Sequence, residues 1–116
     1  MAAVSYNTII DQGADWFFNV TYDNPDGTPV NLTGYTAALQ LRSLPTDATA
    51  VLSLATGSGI TITAITGLVA IHATATQTRS IDEGIYYYDL EITSPGTSVV
   101  TRLIQGQVEV SPELTR

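Results

Sequence analysis

The 116-residue chain contains no cysteine and no lysine, and has a single histidine and a single tryptophan. Without cysteine no disulfide can tie the fold and no thiol chemistry is available, so the sequence is indifferent to redox compartment. The absence of lysine and a net charge of −7 argue against a nucleic-acid backbone as partner. The four arginines (Arg42, Arg79, Arg102 and Arg116) are scattered and form no sequence patch. The same acidic balance argues against an anionic membrane surface. Charged residues are also sparse, at 13% against 44% hydrophobic. That composition supports a packed core and not a disordered chain, with the polarity supplied mainly by Thr, Ser, Asn and Gln.

Long apolar runs are missing too, and none approaches membrane-spanning length. Met1-Ala2-Ala3-Val4-Ser5 has neither a basic nor an apolar segment and does not read as a signal peptide. The expectation is a protein made in the cytosol, or assembled there into something larger. The length suits one domain over residues 1–116 that buries a core without metal or disulfide help. Residues 1–5 read as a flexible N-terminus and 112–116 as a C-terminal tail.

What is present is period-2 alternation. Trp16, Phe18, Val20 and Tyr22 share one face of a strand, and Ala37, Leu39 and Leu41 share one face of another. Val69, Ile71 and Ala73 face inward on a third, which leaves His72 outside. The strongest stretch is Asp82-Glu83-Gly84-Ile85-Tyr86-Tyr87-Tyr88-Asp89-Leu90-Glu91-Ile92-Thr93. Asp82 and Gly84 make a turn, after which Tyr86, Tyr88, Leu90 and Ile92 face a core. Asp-x-Gly-x-Tyr is the spacing of a tyrosine corner, in which a ring packs inward and its hydroxyl bonds back to the corner backbone.

Shorter strands fit Tyr6 to Ile10, Val51 to Leu54 and Ile60 to Ile65, with Thr66-Gly67 as a two-residue hairpin link to Leu68. Asn24-Pro25-Asp26-Gly27 and Ser94-Pro95-Gly96-Thr97 are tight turns. Thr74 to Ile81 fits one helical turn. The last strand runs from Ser98 to Val110, with a bulge expected near Gly106, and this long strand is a candidate for pairing with a neighbouring chain. Together these signals describe an all-β protein: an immunoglobulin-like antiparallel β-sandwich of about eight strands without a disulfide.

Catalytic and metal chemistry find little support. A Ser/His/Asp hydrolase would need His72 as base, and no glycine-framed Ser elbow is present. Zinc is nearly excluded by one His and no Cys. Asp23, Asn24 and Asp26 crowd one turn and Asp82 and Glu83 another, but neither has calcium-loop spacing, and tight turns favour these residues for backbone reasons. Asp89 and Glu91 share a strand face about 7 Å apart by strand rise, as ordinary solvent-side acids. No cofactor and no small-molecule substrate is expected. The features that depart from a bland domain are outward aromatics. Phe17, Tyr35 and Tyr87 are the candidate protein interface.

Four motifs in order carry a resemblance. They are Asp11-Gln12-Gly13-Ala14-Asp15, Asn31-Leu32-Thr33-Gly34-Tyr35, Gly84-x-Tyr86-x-Tyr88-Asp89-Leu90, and Arg102-Leu103-x-x-Gly106-x-Val108-x-Val110-Ser111-Pro112-Glu113-x-Thr115-Arg116. Over Asp11 to Arg116 the chain resembles small immunoglobulin-like virion proteins of tailed bacteriophages. It is also similar to the N-terminal domain of phage baseplate upper proteins. The resemblance implies a virion location, assembly in the host cytoplasm, and partners that are other virion structural proteins, with a homo-oligomer open. It brings no catalytic residues. Baseplate upper proteins continue into a stem and a receptor-facing part, whereas this chain stops after the domain. The expected role is therefore a non-enzymatic tail, baseplate or fibre-attachment adaptor. Capsid decoration is the alternative within that class, and a carbohydrate-binding or adhesion module is the alternative from another.

Overall fold

The computed structural model describes residues 4–115. Nine strands and one short helix follow in order: β1 (Val4–Ser5), β2 (Thr8–Asp11), β3 (Trp16–Thr21), β4 (Thr36–Arg42), β5 (Leu52–Thr56), β6 (Gly59–Thr63), β7 (Leu68–Ala73), α1 (Ala75–Arg79), β8 (Gly84–Thr93) and β9 (Val100–Ser111). The fold is all-β. β1 and β2 both lie on β9, which leads through β8, β4, β5, β6 and β7 to β3. β5 and β6 meet in only a short parallel register, Ala55 to Gly59 and Thr56 to Ile60. There the sheet folds over on itself into two layers. The faces meet where Phe18 of β3 packs edge-on against Tyr88 of β8, with ring centroids 6.1 Å apart.

The alternation read from the sequence is the alternation that is buried. Trp16 and Phe18, Ala37, Leu39 and Leu41, Val69, Ile71 and Ala73, and Tyr86, Tyr88, Leu90 and Ile92 all lie in one core. Burying such side chains is worth about 1.5–3 kcal/mol each, and this continuous core is what a cysteine-free sandwich has in place of a disulfide. The tyrosine corner is present. Tyr86 Oη donates to the Asp82 carbonyl at 2.6 Å, which satisfies a buried polar tip just ahead of β8. The helical turn is α1, opened by a capping box in which Thr74 Oγ1 accepts from Gln77 N and the Gln77 side chain accepts from Thr74 N.

Several expectations are corrected. The sheet is mixed, because β1 and β2 run parallel to β9. Of the terminus expected to be loose, 1–3 lie outside the described residues, as does 116, and Val4–Ser5 form β1. Residues 112–115 follow β9 without regular structure. The link between β6 and β7 is a 3-10 turn, Ala64–Thr66, closed by Gly67 at φ 64°. A side chain on Gly67 would meet the Tyr22 carbonyl as well as the wrong backbone region.

The bulge in β9 is not at Gly106. Leu90 pairs with Ile104 and Glu91 with Arg102, so Leu103 is the extra residue. Leu103 and Ile104 are consequently both buried. Gly106 answers a different need: the chain between β1 and β2 crosses so close that a Cβ there would collide with the Tyr6 carbonyl. β9 is also no free edge, since β8 occupies one side and β1 and β2 the other. It cannot be the strand that pairs with a neighbour.

Candidate functional site

The described sheet has two open edges, β1 and β2 beyond β9 at one end and β3, which pairs with β7 alone, at the other. Tyr22 N donates to Gly67 O at 2.8 Å, and the register continues as Val20 to Val69, Phe18 to Ile71 and Trp16 to Ala73. In an antiparallel ladder hydrogen-bonded and non-hydrogen-bonded pairs alternate. The peptide groups of Phe17, Asn19 and Thr21 therefore point away from β7, toward the open side. All three side chains are exposed, and β3 itself carries neither a charge nor a proline. Such guards are what natural edge strands use to refuse partners.

Phe17 is 70% exposed and stacks on His72, with centroids 4.4 Å apart and planes 11° from parallel. The pair is a non-hydrogen-bonded one, where side chains stand closest. His72 Nε2 lies 2.8 Å from Asp15 Oδ2, and Asp15 Oδ1 accepts from Ala75 N at 2.9 Å. The hydrogen bond with His72, followed by that from the Ala75 amide, holds the Asp15 carboxyl below its usual range. His72 thus does meet an acid. The pair is nearly half exposed and sits on an outer face, not in a cavity. The carboxylate occupies Nε2, and no nucleophilic hydroxyl is hydrogen-bonded to the imidazole among the described residues. The arrangement fixes the ring beneath Phe17 and does not set up a hydroxyl for attack.

The three aromatics proposed as an interface do not come together. Because Phe18 and Tyr88 meet in the core, their neighbours Phe17 and Tyr87 point out of opposite layers. Tyr35 is half-buried and packs on the core, which corrects its assignment to solvent. It follows a turn in which Tyr35 N donates to Leu32 O and Asn31 Oδ1 accepts from Thr33 N and Thr33 Oγ1. Tyr87 stands on the outer face of β9, β8 and β4 beside an open groove of about 760 Å³.

The turn acids have internal roles. Asp26 Oδ1 accepts from both Thr28 N and Thr28 Oγ1, which lowers its pKa. Among the described residues no group of three or more His, Cys, Asp or Glu could hold a metal.

The first and last motifs of the resemblance meet around α1. Gln12 Nε2 donates to Ile81 O, and Gln12 Oε1 accepts from Glu113 N. Arg79 Nε lies 3.1 Å from Glu113 Oε1. Thr78 is fully buried; its hydroxyl accepts from Gly13 N and donates to Ala14 O. These motifs latch the two ends of the chain to the helix, which gives their residues a structural reason.

No known protein family matches the chain, and no curated protein is similar to it in sequence. Among solved structures it aligns with a family 123 glycoside hydrolase from Clostridium perfringens, described for glycolipid glycan hydrolysis. The identity is 13% and the TM-score 0.40, over 97% of this chain and 24% of that one. The chain thus spans about a quarter of that enzyme's length. A likeness at this level says nothing about activity.

Proposed function

We propose that this protein is a non-enzymatic structural component of a tailed-phage particle. In this reading it is an adaptor in the tail, baseplate or fibre-attachment region that binds other virion proteins. The observation that carries the reading is the open edge of β3, with free peptide groups at Phe17, Asn19 and Thr21 and the exposed Phe17 ring beside them. An incoming strand gains main-chain hydrogen bonds along such an edge and a ring to pack on. An antiparallel pairing of two copies centred on Asn19 would set Asp15 against Asp23. That register is disfavoured between two copies, and in this reading the edge takes a strand of a different virion protein. Few long charged side chains means little rotamer entropy lost on assembly, and the motifs of the resemblance favour this class over others.

Mass spectrometry of particles purified from lysates of cells carrying this gene tests the reading. Detection at a fixed ratio to the major capsid protein is the expected result. A handful of copies per particle fits tail or fibre attachment, and hundreds would replace the adaptor with capsid decoration. Absence from the particles would overturn the assignment.

A further inference from the structure

The groove on the layer opposite β3 is a separate surface with its own chemistry. Its floor is built in cross-strand rows: Arg42, Tyr87 and Gln107 lie side by side, then Gln40, Asp89 and Gln105, and Glu91 lies opposite Arg102. Ser5 and Asn7 wall one side and Pro45 the other. No Ile, Leu or Val lines it, and its apolar surface comes from Tyr87, Tyr88 and Pro45 set among polar tips. Two of the chain's four arginines are here, and two carboxylates balance them, leaving the groove neutral on a chain of net charge −7.

The charges are also oriented by one another. Arg102 Nε lies 3.2 Å from Asp89 Oδ2, and Arg102 donates to Gln105 Oε1 at 2.9 Å. Arg42 donates to Gln40 Oε1 at 2.7 Å and to the Asp47 carbonyl at 3.0 Å. These bonds lock long side chains before any ligand arrives, the preorganisation that a binding site needs. Other polar tips remain available. The half-buried Glu91 carboxylate, the Tyr87 hydroxyl and the Gln107 side-chain amide line the same groove without an intramolecular hydrogen bond of their own among the described residues.

We propose that this groove binds a neutral oligosaccharide. Planar amides, a guanidinium and a carboxylate match the paired donors and acceptors of vicinal hydroxyls. The Tyr87 ring offers a face to the C–H side of a pyranose, and an open trench admits the middle of a chain. An anionic ligand would meet Asp89 and Glu91, and a cationic one Arg42 and Arg102.

The test is an NMR titration of the full chain, following backbone amides, with maltohexaose, cellohexaose, chitohexaose and dextran each to millimolar concentration. The expected result is saturable shifts confined to β4, β8 and β9 with at least one of these sugars. Tyr87→Ala and Glu91→Gln should each weaken that binding by about tenfold or more, as central contacts do, with substitution of the exposed Ile65 by Ala leaving it unchanged. Glu91→Gln alters no packing, so it decides the matter if Tyr87→Ala fails to fold. The proposal is overturned if none of the four sugars shifts the groove, or if binding survives both groove variants. It is equally overturned if Tyr87→Ala blocks particle incorporation while no sugar binds, which would make the groove a protein contact. Failure here leaves the β3 reading intact, since the two surfaces face opposite ways.

Discussion

The hydroxyl of Tyr88 donates a 2.7 Å hydrogen bond to the carbonyl of Tyr6, 82 residues earlier in the chain. Tyr6 N in turn donates to Gln105 O at 2.8 Å, and the Tyr6 ring packs on Phe18 at 5.3 Å. One residue between β1 and β2 thus joins β8, β9 and the opposite layer. The Tyr88 ring is 4% exposed, so its hydroxyl must be satisfied inside the protein.

Burial, with a smaller contribution from Tyr6, pushes the Tyr88 hydroxyl up to about 12 from an ordinary 10.0. Burial also raises that of Tyr86. A phenol held neutral when folded but free to ionise when unfolded contributes stability that is complete below pH 10.0. That stability is lost as pH rises from there through the folded value of about 12, because the unfolded chain then binds fewer protons. Tyr88→Phe should cost about 0.5–1.5 kcal/mol at neutral pH from the lost hydrogen bond. It should also flatten the alkaline fall in stability. Thermal melts followed by circular dichroism between pH 8 and pH 12 check both, and a wild-type curve flat across that range would refute the assignment.

Gly106 pairs with Tyr88 across β8 and β9, beneath the same crossing. Gly106→Ala would drive a methyl group into the Tyr6 carbonyl, so the crossing segment must lift. The expected outcome is a loss of about 1–3 kcal/mol, as for other overpacked sites, together with loss of the Tyr88 to Tyr6 bond. Hydrogen exchange should then show faster exchange at Tyr6 and along β2, with β4 and β7 protected as before. Uniform loss of protection throughout the sheet would contradict this local account.

What the sequence disclosed follows from which contacts are local. The inward faces at Trp16 and Phe18 and at Tyr86 and Tyr88 are written as alternation, and the tyrosine corner and the capped turn at Thr74 each close within four residues. The parallel docking of β1 and β2 on β9 joins residues about a hundred apart, such as Val4 and Ile104, and no local pattern announces it. A lone glycine in a strand signals either a bulge or a close backbone approach, and at Gly106 it marks the approach. The true bulge had its own signal: Leu103 and Ile104 are adjacent apolar residues that break the alternation of β9. The groove was invisible because Arg42, Asp89 and Gln105 become neighbours only through strand order. Tyr35 misled because a ring at a strand's start can turn either way.

Asp15 accepts hydrogen bonds from His72 and from the Ala75 amide, and both hold its carboxyl below the usual 3.8. A carboxylate with a lowered folded pKa contributes stability that is complete above 3.8 and is lost as pH falls below that through the lowered value. Asp15→Asn keeps an oxygen for Ala75 but abolishes the charge. Its stability deficit relative to wild type should therefore shrink progressively as pH falls from 5 to 2. Chemical denaturation at stepped acid pH measures the difference. A deficit constant over that range would mean that the charge at this position is irrelevant to stability.

Asn19 provides the sharpest test of the edge strand. Its peptide N–H points away from β7, so replacing it with proline removes no hydrogen bond from the folded chain. Proline is tolerated at such positions on edge strands, and it denies one donor to any added strand. Phe18→Pro, one residue along, would instead break the ladder to Ile71 and should prevent folding. If another virion protein adds a strand to β3, Asn19→Pro should yield a soluble, cooperatively melting protein that is missing from assembled particles. Phe17→Lys should act the same way through charge on the edge. Gel-shift or sedimentation of particles assembled in cells carrying each variant reads the result. Normal incorporation of a folded Asn19→Pro protein would remove β3 as the docking edge and leave the opposite edge, β1 and β2 on β9, as the one to examine.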